Sequence, residues 1–362
     1  PEDQDLLREA AGAIGAAHAV VPADASDADV EAVADEIEAV GTTDVVHLLA
    51  GPGHPAEARL HGLFRLLRAL HRRPWTAGLR YRLLTRGAHS VVDGETVDPA
   101  AHAADAMVVA LVGEHTRLTL GVLDIAADGR ADVVHSGVER ALADLPRARS
   151  ALRDGRLFES TIAAAQRDDV PVPAGAVLVT GGTGGMGTAI ARRLVRDDPD
   201  RTVVLVGRRS PAEVADRFAE LPAEERDRIL VLRADVLDPA QTAAAIAVAR
   251  SQRGGLAGVV HAAGLPGDGF IMSKDDATFA AVLEPKVRGT DVLLAALADD
   301  PPAFVLLCSS MTAVFGAVGQ SDYAAANAYL DGTALRGGAT RIVALDWTGW
   351  AESGMAHERG IE

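Results

Sequence analysis

A tyrosine, a serine and an asparagine stand at spacings that suit proton transfer. Tyr323 follows Ser310 by thirteen residues, and Asn327 follows Tyr323 by four. The alanine-rich segment 323–330 predicts a helix, on which positions i and i+4 share one face. Tyr323 and Asn327 are therefore expected to point into the same cleft. A phenol can release a proton and a hydroxyl can donate a hydrogen bond, so this set suits a reaction in which an oxygen gains negative charge.

The phenol needs a cation beside it if it is to act near neutral pH. Its ordinary pKa is ~10, which makes it a sluggish acid and base in that range. A nearby ammonium group stabilises the phenolate and lowers the pKa of the phenol. The residue one helical turn after Tyr323 is Asn327, which supplies only an amide. The cation must therefore come from another segment of the chain.

A glycine-rich segment, TGGTGGMG at 180–187, follows a predicted strand and precedes a helix expected to begin near Thr188. Glycines allow a tight turn and a close approach to a pyrophosphate, and a helix N-terminus offers free N–H groups to it. Strand, loop and helix in this order are the context that a dinucleotide-binding motif requires. A glycine-rich turn without a ligand is the alternative. The loop residues expected to bind the cofactor are Thr180, Gly181, Thr183, Gly184, Gly185, Met186 and Gly187.

The type of dinucleotide is indicated at the end of the next predicted strand. An acidic residue there would accept hydrogen bonds from a ribose 2′-hydroxyl and repel a 2′-phosphate. The chain has Arg208, Arg209 and Ser210 instead. Arg208 can pair with a 2′-phosphate and stack on adenine. The sequence therefore favours NADPH over NADH, the alternative being that these arginines only decorate a surface loop.

The elements that must position these residues alternate between short apolar runs and amphipathic segments, which predicts an α/β fold with parallel sheets. Predicted strands cover 16–21, 44–50, 79–85, 117–125, 176–180, 202–206, 229–234, 258–261, 304–307 and 342–346. Predicted helices of the first half cover 27–40, 55–73 and 99–115. We therefore expect two Rossmann-like, doubly wound subdomains. Ser310 would close the strand at 304–307, at the carboxyl end where open α/β sheets bind ligands.

Only the second half carries glycines where a nucleotide needs them. The predicted strand at 44–50 continues into GPGHP at 51–55, whose prolines remove N–H donors from any phosphate cradle. We expect residues 1–170 to form a structural, truncated subdomain without a cofactor loop, whose His and Arg residues lie mostly in solvent. The stretch DDVPVPAG at 168–175 predicts a linker. Residues 171–362 are expected to be catalytic and to bind NADPH.

The composition excludes several classes of protein. Of the 362 residues, 48% are hydrophobic and 24% are charged, as in soluble globular proteins. No segment has the ~18 consecutive apolar residues of a membrane span, and a formal net charge of −16 disfavours nucleic acid as a partner. The single cysteine, Cys308, excludes a disulfide framework and favours a cytoplasmic setting. The histidines lack the spacing of a metal site. With no starting Met and no signal peptide pattern, the chain is expected to be a piece of a longer protein.

The glycine loop, the serine–tyrosine pair and the turn HAAG at 261–264 resemble the short-chain dehydrogenase/reductase superfamily. In most of that superfamily a lysine follows the tyrosine by four residues, and an asparagine lies on the preceding helix. Here the two are exchanged, because Asn327 follows the tyrosine and the lysine is Lys286. This exchange, with GGTGGMG and the YAAANAYLD run, closely resembles the ketoreductase domains of modular polyketide synthases. The resemblance covers nearly the whole chain and is strongest over 176–356.

The resemblance implies a role for each matching residue. Tyr323 would be the proton donor, and Ser310 would hydrogen-bond the substrate carbonyl. Lys286 would lower the pKa of Tyr323 and hold the nicotinamide ribose, and Asn327 would order a water or position Lys286. The further cofactor contacts implied are Asp235 and Val236 at the adenine, and Ala262, Ala263 and Gly264 at the ribose. The implied substrate is a β-ketoacyl thioester tethered to an acyl carrier protein, and the implied partners are neighbouring synthase domains.

The family's stereochemical markers are only partly present. In one class a Leu-Asp-Asp segment follows the HAAG turn, but residues 265–268 read LPGD. In the other class a tryptophan precedes the tyrosine by eight residues, and this chain has Phe315. The pattern leans toward the A-type class, which lacks the acid and gives an L-hydroxy product. The segment 351–355 resembles the start of the substrate lid, and the C-terminal end of the catalytic subdomain is expected to be truncated. Trp350 and Met355 would line the acyl pocket or serve in packing.

Two other functions stay open at the level of sequence. One is a free-standing reductase or dehydrogenase that acts on a diffusible ketone or alcohol, against which the cofactor-silent first half argues. The other is a nucleotide-binding scaffold with a dead site, against which the presence of every expected catalytic residue type argues. Taken alone, Tyr323 and Ser310 would also suit a core tyrosine and a strand-end serine, and Lys286 after a proline would suit a solvated helix start.

Overall fold

The computed structural model describes residues 5, 8–9, 11–12, 17–22, 25–128, 130–143, 148–164, 170–338 and 340–350. These residues form two compact units. The first unit contains the described residues up to Ala164 together with Gly267–Leu283 and Met311–Arg336, and the second unit contains the rest. Two segments of the second half of the chain therefore pack with the first half. The predicted boundary at 170/171 divides the chain by sequence position, and it stays a prediction.

Helices and strands alternate along the chain, as the sequence pattern predicts. In chain order they are α1 (Asp27–Val40), β1 (Asp44–Leu48), α2 (Ala56–His71), β2 (Leu79–Arg86), α3 (Pro99–Ala110), β3 (Leu118–Ile125), α4 (Ala131–Leu142), β4 (Arg149–Arg153), β5 (Arg156–Phe158), β6 (Ala176–Thr180), α5 (Gly185–Asp197), β7 (Val203–Gly207), α6 (Pro211–Val214), α7 (Ala223–Arg226), β8 (Ile229–Arg233), α8 (Pro239–Arg250), β9 (Leu256–His261), α9 (Asp276–Leu283), α10 (Arg288–Leu297), β10 (Phe304–Ser310), α11 (Met311–Phe315), α12 (Ser321–Arg336) and β11 (Ile342–Trp347). Short 3-10 helices cover Ala215–Phe218 and Ile271–Ser273. Within the described part of the chain, no helix combines the length and the apolar character that a membrane crossing needs.

The first unit is built on a five-stranded sheet in the sequential order β1-β2-β3-β4-β5. Strands β1 to β4 run parallel, and β4 and β5 form an antiparallel hairpin. Asp154 and Gly155 at the hairpin turn both have positive φ, 48° and 74°, which matches the twist that a two-residue hairpin requires. Helix α3 begins where Asp98 caps it and Pro99 occupies its first position.

Helix α12 belongs to the first unit because it packs on α3 through small residues. The buried alanine cluster formed by α3, α11 and α12 consists of Ala106, Ala110, Ala313, Ala324 and Ala328. A Cβ atom on Gly332 would lie 2.7 Å from the Cα atom of Pro99, so only glycine lets the two backbones approach this closely. The packing of α3 against α12 is therefore close, and it buries most of the α12 surface.

The second unit is built on a six-stranded parallel sheet in the order β11-β10-β9-β6-β7-β8. Its central strands are continuous apolar runs, as expected when helices cover both faces of a sheet. The chain winds in one direction from β6 to β8 and then returns to add β9, β10 and β11 on the other side. This reversal leaves a crevice at the carboxyl ends of β6 and β9, the place where open α/β sheets bind ligands.

The predicted fold class is confirmed, because both sheets are Rossmann-like parallel sheets in an α/β chain. The predicted strand at 16–21 is wrong: residues 17–22 form no strand, and the exposed side chains at 17–20 give such a strand no buried face. Helix α5 begins at Gly185, three residues before the predicted start. Helix α4 and the β4–β5 hairpin were not predicted. The predicted linker is irregular over 170–175, and its other residues, 168–169, lie outside the described part.

The expectation that the His and Arg residues of 1–170 lie mostly in solvent is also wrong. Among the described His and Arg residues of that range, those at most 8% exposed are Arg59, Arg68, His71, Arg73, Arg82 and Arg153. Arg153 illustrates the reason, because it pairs with Asp124 at 2.8 Å and with Glu95. A buried cation is tolerated only when an anion and hydrogen bonds compensate it. Those partners come from other elements, so the pattern within a single element does not reveal them.

Candidate active site

The glycine loop joins β6 to α5, and at Gly181 and Gly187 it packs too tightly for a side chain. A Cβ atom on Gly181, where φ is 65°, would lie 2.5 Å from the carbonyl oxygen of Ala262. A Cβ atom on Gly187 would lie 2.6 Å from the carbonyl oxygen of Gly181. Gly184 is the N-cap of α5, and the N–H of Thr188 makes the first intrahelical bond to it. The preceding N–H groups, at 185–187, therefore face the open end of the helix, where an anion can accept from them.

Two predicted loop residues have structural contacts of their own. The side chain of Met186 packs against the core of the second unit, so only its backbone faces the open helix end. The side chain of Thr183 is buried against Gly207 at the end of β7, where a Cβ atom would lie 2.2 Å from the Thr183 hydroxyl oxygen. Gly207 is thus required for this approach, and sequence reasoning did not single it out. A glycine directly before the two arginines is the signal that could have indicated it.

The residues predicted to select the dinucleotide lie just after β7. Arg208 and Arg209 are exposed, and Arg209 donates to the carbonyl oxygen of Thr183 at 3.1 Å. Arg209 therefore spans from the end of β7 to the glycine loop. The hydroxyl of Ser210 donates to Glu213 at 2.7 Å in a capping box at α6. Ser210 thus serves as a helix cap in this structure.

Asp235 and Val236 follow the neighbouring strand β8. A carboxylate oxygen of Asp235 accepts from the backbone N–H of Leu237 at 3.0 Å. Val236 is 7% exposed, and a Cβ atom on Gly289 would lie 3.1 Å from it. Val236 therefore packs against the start of α10. Both residues lie at the carboxyl side of the sheet, on the same side as the glycine loop.

His261 ends β9 and connects the glycine loop to the segment that carries the predicted lysine. Its Nε2 lies 3.1 Å from the carbonyl oxygen of Pro285, which can only accept, so Nε2 is the protonated nitrogen. Its Nδ1 then accepts from the hydroxyl of Thr180, at 2.6 Å. Burial and the nearby charge of Lys286 lower the pKa of His261 to about 3. His261 is therefore neutral, and its two bonds are fixed. The HAAG motif alone did not indicate that His261 makes these two bonds.

Lys286 is buried rather than solvated. It lies in the turn before α10, is 3% exposed, and donates from Nζ to the carbonyl oxygen of Cys308 at 2.8 Å. A Cβ atom on Gly264 would lie 2.8 Å from Cε of Lys286, so the side chain passes directly over the HAAG turn. The ammonium group therefore lies at the carboxyl ends of β9 and β10. Ala262 and Ala263 of that turn are half-buried, and the N–H of Ala262 bonds to Thr180.

Ser310 is the last residue of β10, which runs three residues further than predicted. It is half-buried and lies opposite Trp347 of β11 in the sheet register. The second unit therefore gathers Ser310, Lys286 and the glycine loop at the carboxyl ends of its strands. Trp350 packs edge-on against Trp347, with ring centroids 5.0 Å apart. Residues 351–362, which include Met355 and the predicted lid, lie outside the described part.

Tyr323 and Asn327 belong to the first unit, on α12. Tyr323 is half-buried in the first turn of the helix, and Asn327 is fully buried one turn later. The side-chain amide of Asn327 donates to the carbonyl oxygen of Tyr323 at 2.7 Å. The adjacent Asp322 accepts from the backbone N–H of Tyr323 at 2.8 Å and from Lys274 at 2.5 Å. Neither Asp322 nor Lys274 was singled out from the sequence, because their pairing spans 48 residues.

Comparison with known proteins identifies the family. The profile of the KR domain matches residues 175–352. Erythronolide synthase EryA3 of Saccharopolyspora erythraea is 34% identical over an alignment of 348 residues, which covers 91% of this chain and 10% of that synthase. The first ketoreductase of the tylosin polyketide synthase has 28% sequence identity and a TM-score of 0.81, covering 99% of this chain and 80% of that one. A structure of A-type ketoreductases from a modular polyketide synthase has 28% identity and a TM-score of 0.76, covering 93% and 74%.

The chain spans only a small part of the curated relatives. It covers between 4% and 19% of the length of the polyketide synthases that it resembles. In contrast, the two solved ketoreductase structures match 93% and 99% of this chain. The chain therefore belongs to the ketoreductase domain family of polyketide synthases, a branch of the short-chain dehydrogenase/reductase superfamily.

Proposed function

We propose that this chain reduces the β-keto group of an acyl thioester carried by an acyl carrier protein, with NADPH as the hydride donor. The observation that carries the proposal is the buried ammonium group of Lys286. It lies over the HAAG turn at the carboxyl ends of β9 and β10, in the unit that contains the glycine loop. An ammonium group buried beside the HAAG turn places a positive charge and hydrogen-bond donors at the carboxyl ends of these strands. The arrangement supports a site for a nicotinamide ribose.

The residues of the second unit fit a dinucleotide with a 2′-phosphate. Side chains on Gly181, Gly182 and Gly187 would collide with backbone atoms at 2.5–2.7 Å, and the open N-terminus of α5 offers backbone N–H groups to a ligand. Arg208 and Arg209 supply positive charge after β7, where no carboxylate stands in the sequence 207–210. Bound there, NADPH would supply the hydride. Arg208 would pair with the 2′-phosphate, and the open end of α5 would hold the pyrophosphate.

The roles proposed for the protein groups follow from the charge that develops on the substrate oxygen. Tyr323 would give its phenol proton to that oxygen, and Ser310 would donate a hydrogen bond to it. Lys286 would favour phenolate after the transfer and so lower the pKa of Tyr323. Asn327 would hold the first turns of α12 through its bond to the carbonyl oxygen of Tyr323.

A product with the L-hydroxy configuration is part of the same proposal. The segment 265–268 reads LPGD, so the first of the two acids that mark the opposite class is missing. One of the similar structures is of A-type ketoreductases. Chiral chromatography of the reduced thioester decides the configuration, and a D-hydroxy product would contradict this assignment.

Neighbouring synthase domains are the partners proposed, because the similar relatives are multidomain synthases. We also propose a cytoplasmic location, which is supported only by the presence of a single cysteine in the chain.

The test is NADPH oxidation, followed by absorbance, with a β-keto thioester as substrate. Wild-type protein is expected to turn over, and Tyr323→Phe is expected to lose roughly 10²- to 10⁴-fold in kcat, the usual contribution of a general acid. Tyr329→Phe is the matched control, because it removes a phenol hydroxyl from the same helix. Absence of turnover in wild type would support a nucleotide-binding scaffold. Activity that survives Tyr323→Phe would refute the mechanism.

The same assay separates the proposed substrate from a diffusible ketone. A thioester on an acyl carrier protein is expected to be reduced with a higher kcat/KM than the same acyl group on a small thiol. Free ketones and alcohols without a thioester are expected to be poorer still. Equal kcat/KM for a simple cyclic ketone and the thioester would favour a free-standing reductase.

A further inference from the structure

A buried ion pair contacts the first turn of α12. Nζ of Lys274 lies 2.5 Å from a carboxylate oxygen of Asp322, and the two residues are 3% and 0% exposed. The same ammonium group donates to the carbonyl oxygen of Gly319 at 3.2 Å. The same carboxylate oxygen accepts from the backbone N–H of Tyr323 at 2.8 Å. One lysine therefore holds both the turn that leads into α12 and the residue next to Tyr323.

Glu114 ties the same two segments together from a second point. One of its carboxylate oxygens accepts from the backbone N–H of Gly319, and the other accepts from that of Ile271, each at 2.9 Å. Hydrogen bonds to an ionised carboxylate are stronger than those between neutral groups. The segment 267–274 and the segment 316–323 are therefore joined by Glu114 and Lys274.

The segment 267–274 also contacts the base of Tyr323 directly. A Cβ atom on Gly267 would lie 2.3 Å from a carboxylate oxygen of Asp322 and 2.9 Å from Cβ of Tyr323. Only a residue without a side chain fits there, since a Cβ atom would displace one of the two neighbours. The position of this segment and the position of the phenol ring are therefore coupled through van der Waals contact.

A buried ion pair contributes little net free energy to the stability of a fold. Removing two charges from water costs free energy that their attraction only partly returns, and well-packed apolar residues are often as stable or more so. Apolar residues would not orient the first turn of α12 in the same way, because they lack the directional hydrogen bonds of an ammonium and a carboxylate. The three hydrogen bonds described for the side chains of this pair all involve residues 319–323.

We propose that Lys274 and Asp322 are positioning residues that orient Tyr323 for proton transfer. They act by fixing the first turn of α12, and they touch neither the substrate nor the cofactor. The inference rests on the proposed function for its kinetic part, because it assigns these residues to the same reduction. Its structural part, the ordering of the first turn, stands without that function.

The first test measures amide hydrogen exchange of the free protein by mass spectrometry. Lys274→Met is expected to speed exchange over 319–323 by about tenfold or more, since it removes bonds that close this turn. Arg65→Met is the matched control, because Arg65 pairs with Asp276 at 2.5 Å in the same unit, outside that turn. Unchanged exchange over 319–323 in Lys274→Met would overturn the proposal.

The second test separates positioning from plain stability. The double variant Lys274→Met/Asp322→Leu removes both charges, so it is expected to recover the thermal stability that Lys274→Met loses. Its kcat for the thioester is nevertheless expected to stay about 10- to 100-fold below wild type, because small misplacements of a reacting group cost that much. The KM for NADPH is expected to stay unchanged, and the isotope effect with deuterated NADPH is expected to rise.

The outcomes of the two tests are distinct. If kcat recovers together with thermal stability in the double variant, the pair is structural and the positioning role is wrong. If wild-type protein oxidises no NADPH, the proposed function fails, and amide exchange alone decides whether the pair orders the turn. If Lys274→Met and wild type have equal kcat and equal exchange, the inference fails and the proposed function is untouched.

Discussion

The substitution Gly187→Ala sets two physical effects against each other in the glycine loop. Within a helix alanine is favoured over glycine by up to ~1 kcal/mol, so propensity alone predicts a more stable α5 even though Gly187 lies in its first turn. The added Cβ atom would lie 2.6 Å from both the carbonyl oxygen of Gly181 and Cα of Gly182, which are backbone atoms. Those atoms must move by about 0.8 Å to reach the ordinary contact distance of 3.4 Å. Such overpacking costs ~1–3 kcal/mol, and we expect it to prevail.

The displaced loop is also the segment proposed to hold the pyrophosphate. Each hydrogen bond to a charged group contributes ~1.5–3 kcal/mol, so the loss of one corresponds to roughly 10- to 100-fold weaker NADPH binding. Nicotinamide fluorescence gives the Kd, and thermal unfolding with and without NADPH gives the stability. Gly53→Ala is the control, because its Cβ atom would meet nothing within 4 Å and its φ is ordinary.

The two variants should therefore differ in both measurements. Gly53→Ala is expected to keep the wild-type Tm and Kd. Gly187→Ala is expected to lower the Tm and to lose most of the stabilisation that NADPH gives. If Gly187→Ala binds NADPH with wild-type affinity and melts at a higher temperature, helix propensity prevails. The argument from close backbone approach would then be refuted.

Two further predictions concern charged groups. Arg208→Glu is expected to weaken NADPH binding by about tenfold or more while NADH binding is kept, because the 2′-phosphate loses its partner. The ratio of kcat/KM for the two cofactors checks this, and an unchanged ratio would contradict it. Burial alone would lower the pKa of His89, but the charge and hydrogen bond of Asp105 outweigh burial and raise it above 6.5. Its protonation therefore stabilises the fold fully below pH 6.5, and this stabilisation is lost as the pH rises through the higher folded pKa. Urea unfolding over pH should show the decline, His89→Asn should flatten it, and an equal slope in both would refute the assignment.

Local sequence patterns were sufficient to predict most strands of the second unit and its glycine loop. A strand, a run of glycines and a helix follow one another within about twenty residues, so the loop at 180–187 could be read without long-range information. The buried strands of its sheet could also be predicted locally, because each is a short run of apolar residues. The chemical roles of Tyr323, Ser310, Lys286 and Asn327 came from type, spacing and family resemblance. Those roles stay predictions that the proposed assays test.

The features that could not be predicted from the sequence depend on residues far apart in the chain. The short, mostly apolar run at 16–21 suggested a strand, but a strand also needs a neighbour and a buried face, which a local pattern does not supply. The buried state of Arg153 depends on Glu95 and Asp124, contributed by other elements. The ion pair beside Tyr323 is similar, because Lys274 and Asp322 are 48 residues apart and neither residue type suggests burial.

The alanine cluster shared by α3, α11 and α12 has a consequence for biosynthesis. During translation, α3 leaves the ribosome more than two hundred residues before α12 does. Until residue 336 has been made, the small-residue face of α3 lacks the helix that buries it, and the first unit has an incomplete core. The glycine loop and strands β6 to β10 emerge in that interval. We therefore expect the nascent first half to gain its full protease resistance only after the last third of the chain is synthesised, even though its own sheet is finished by residue 158.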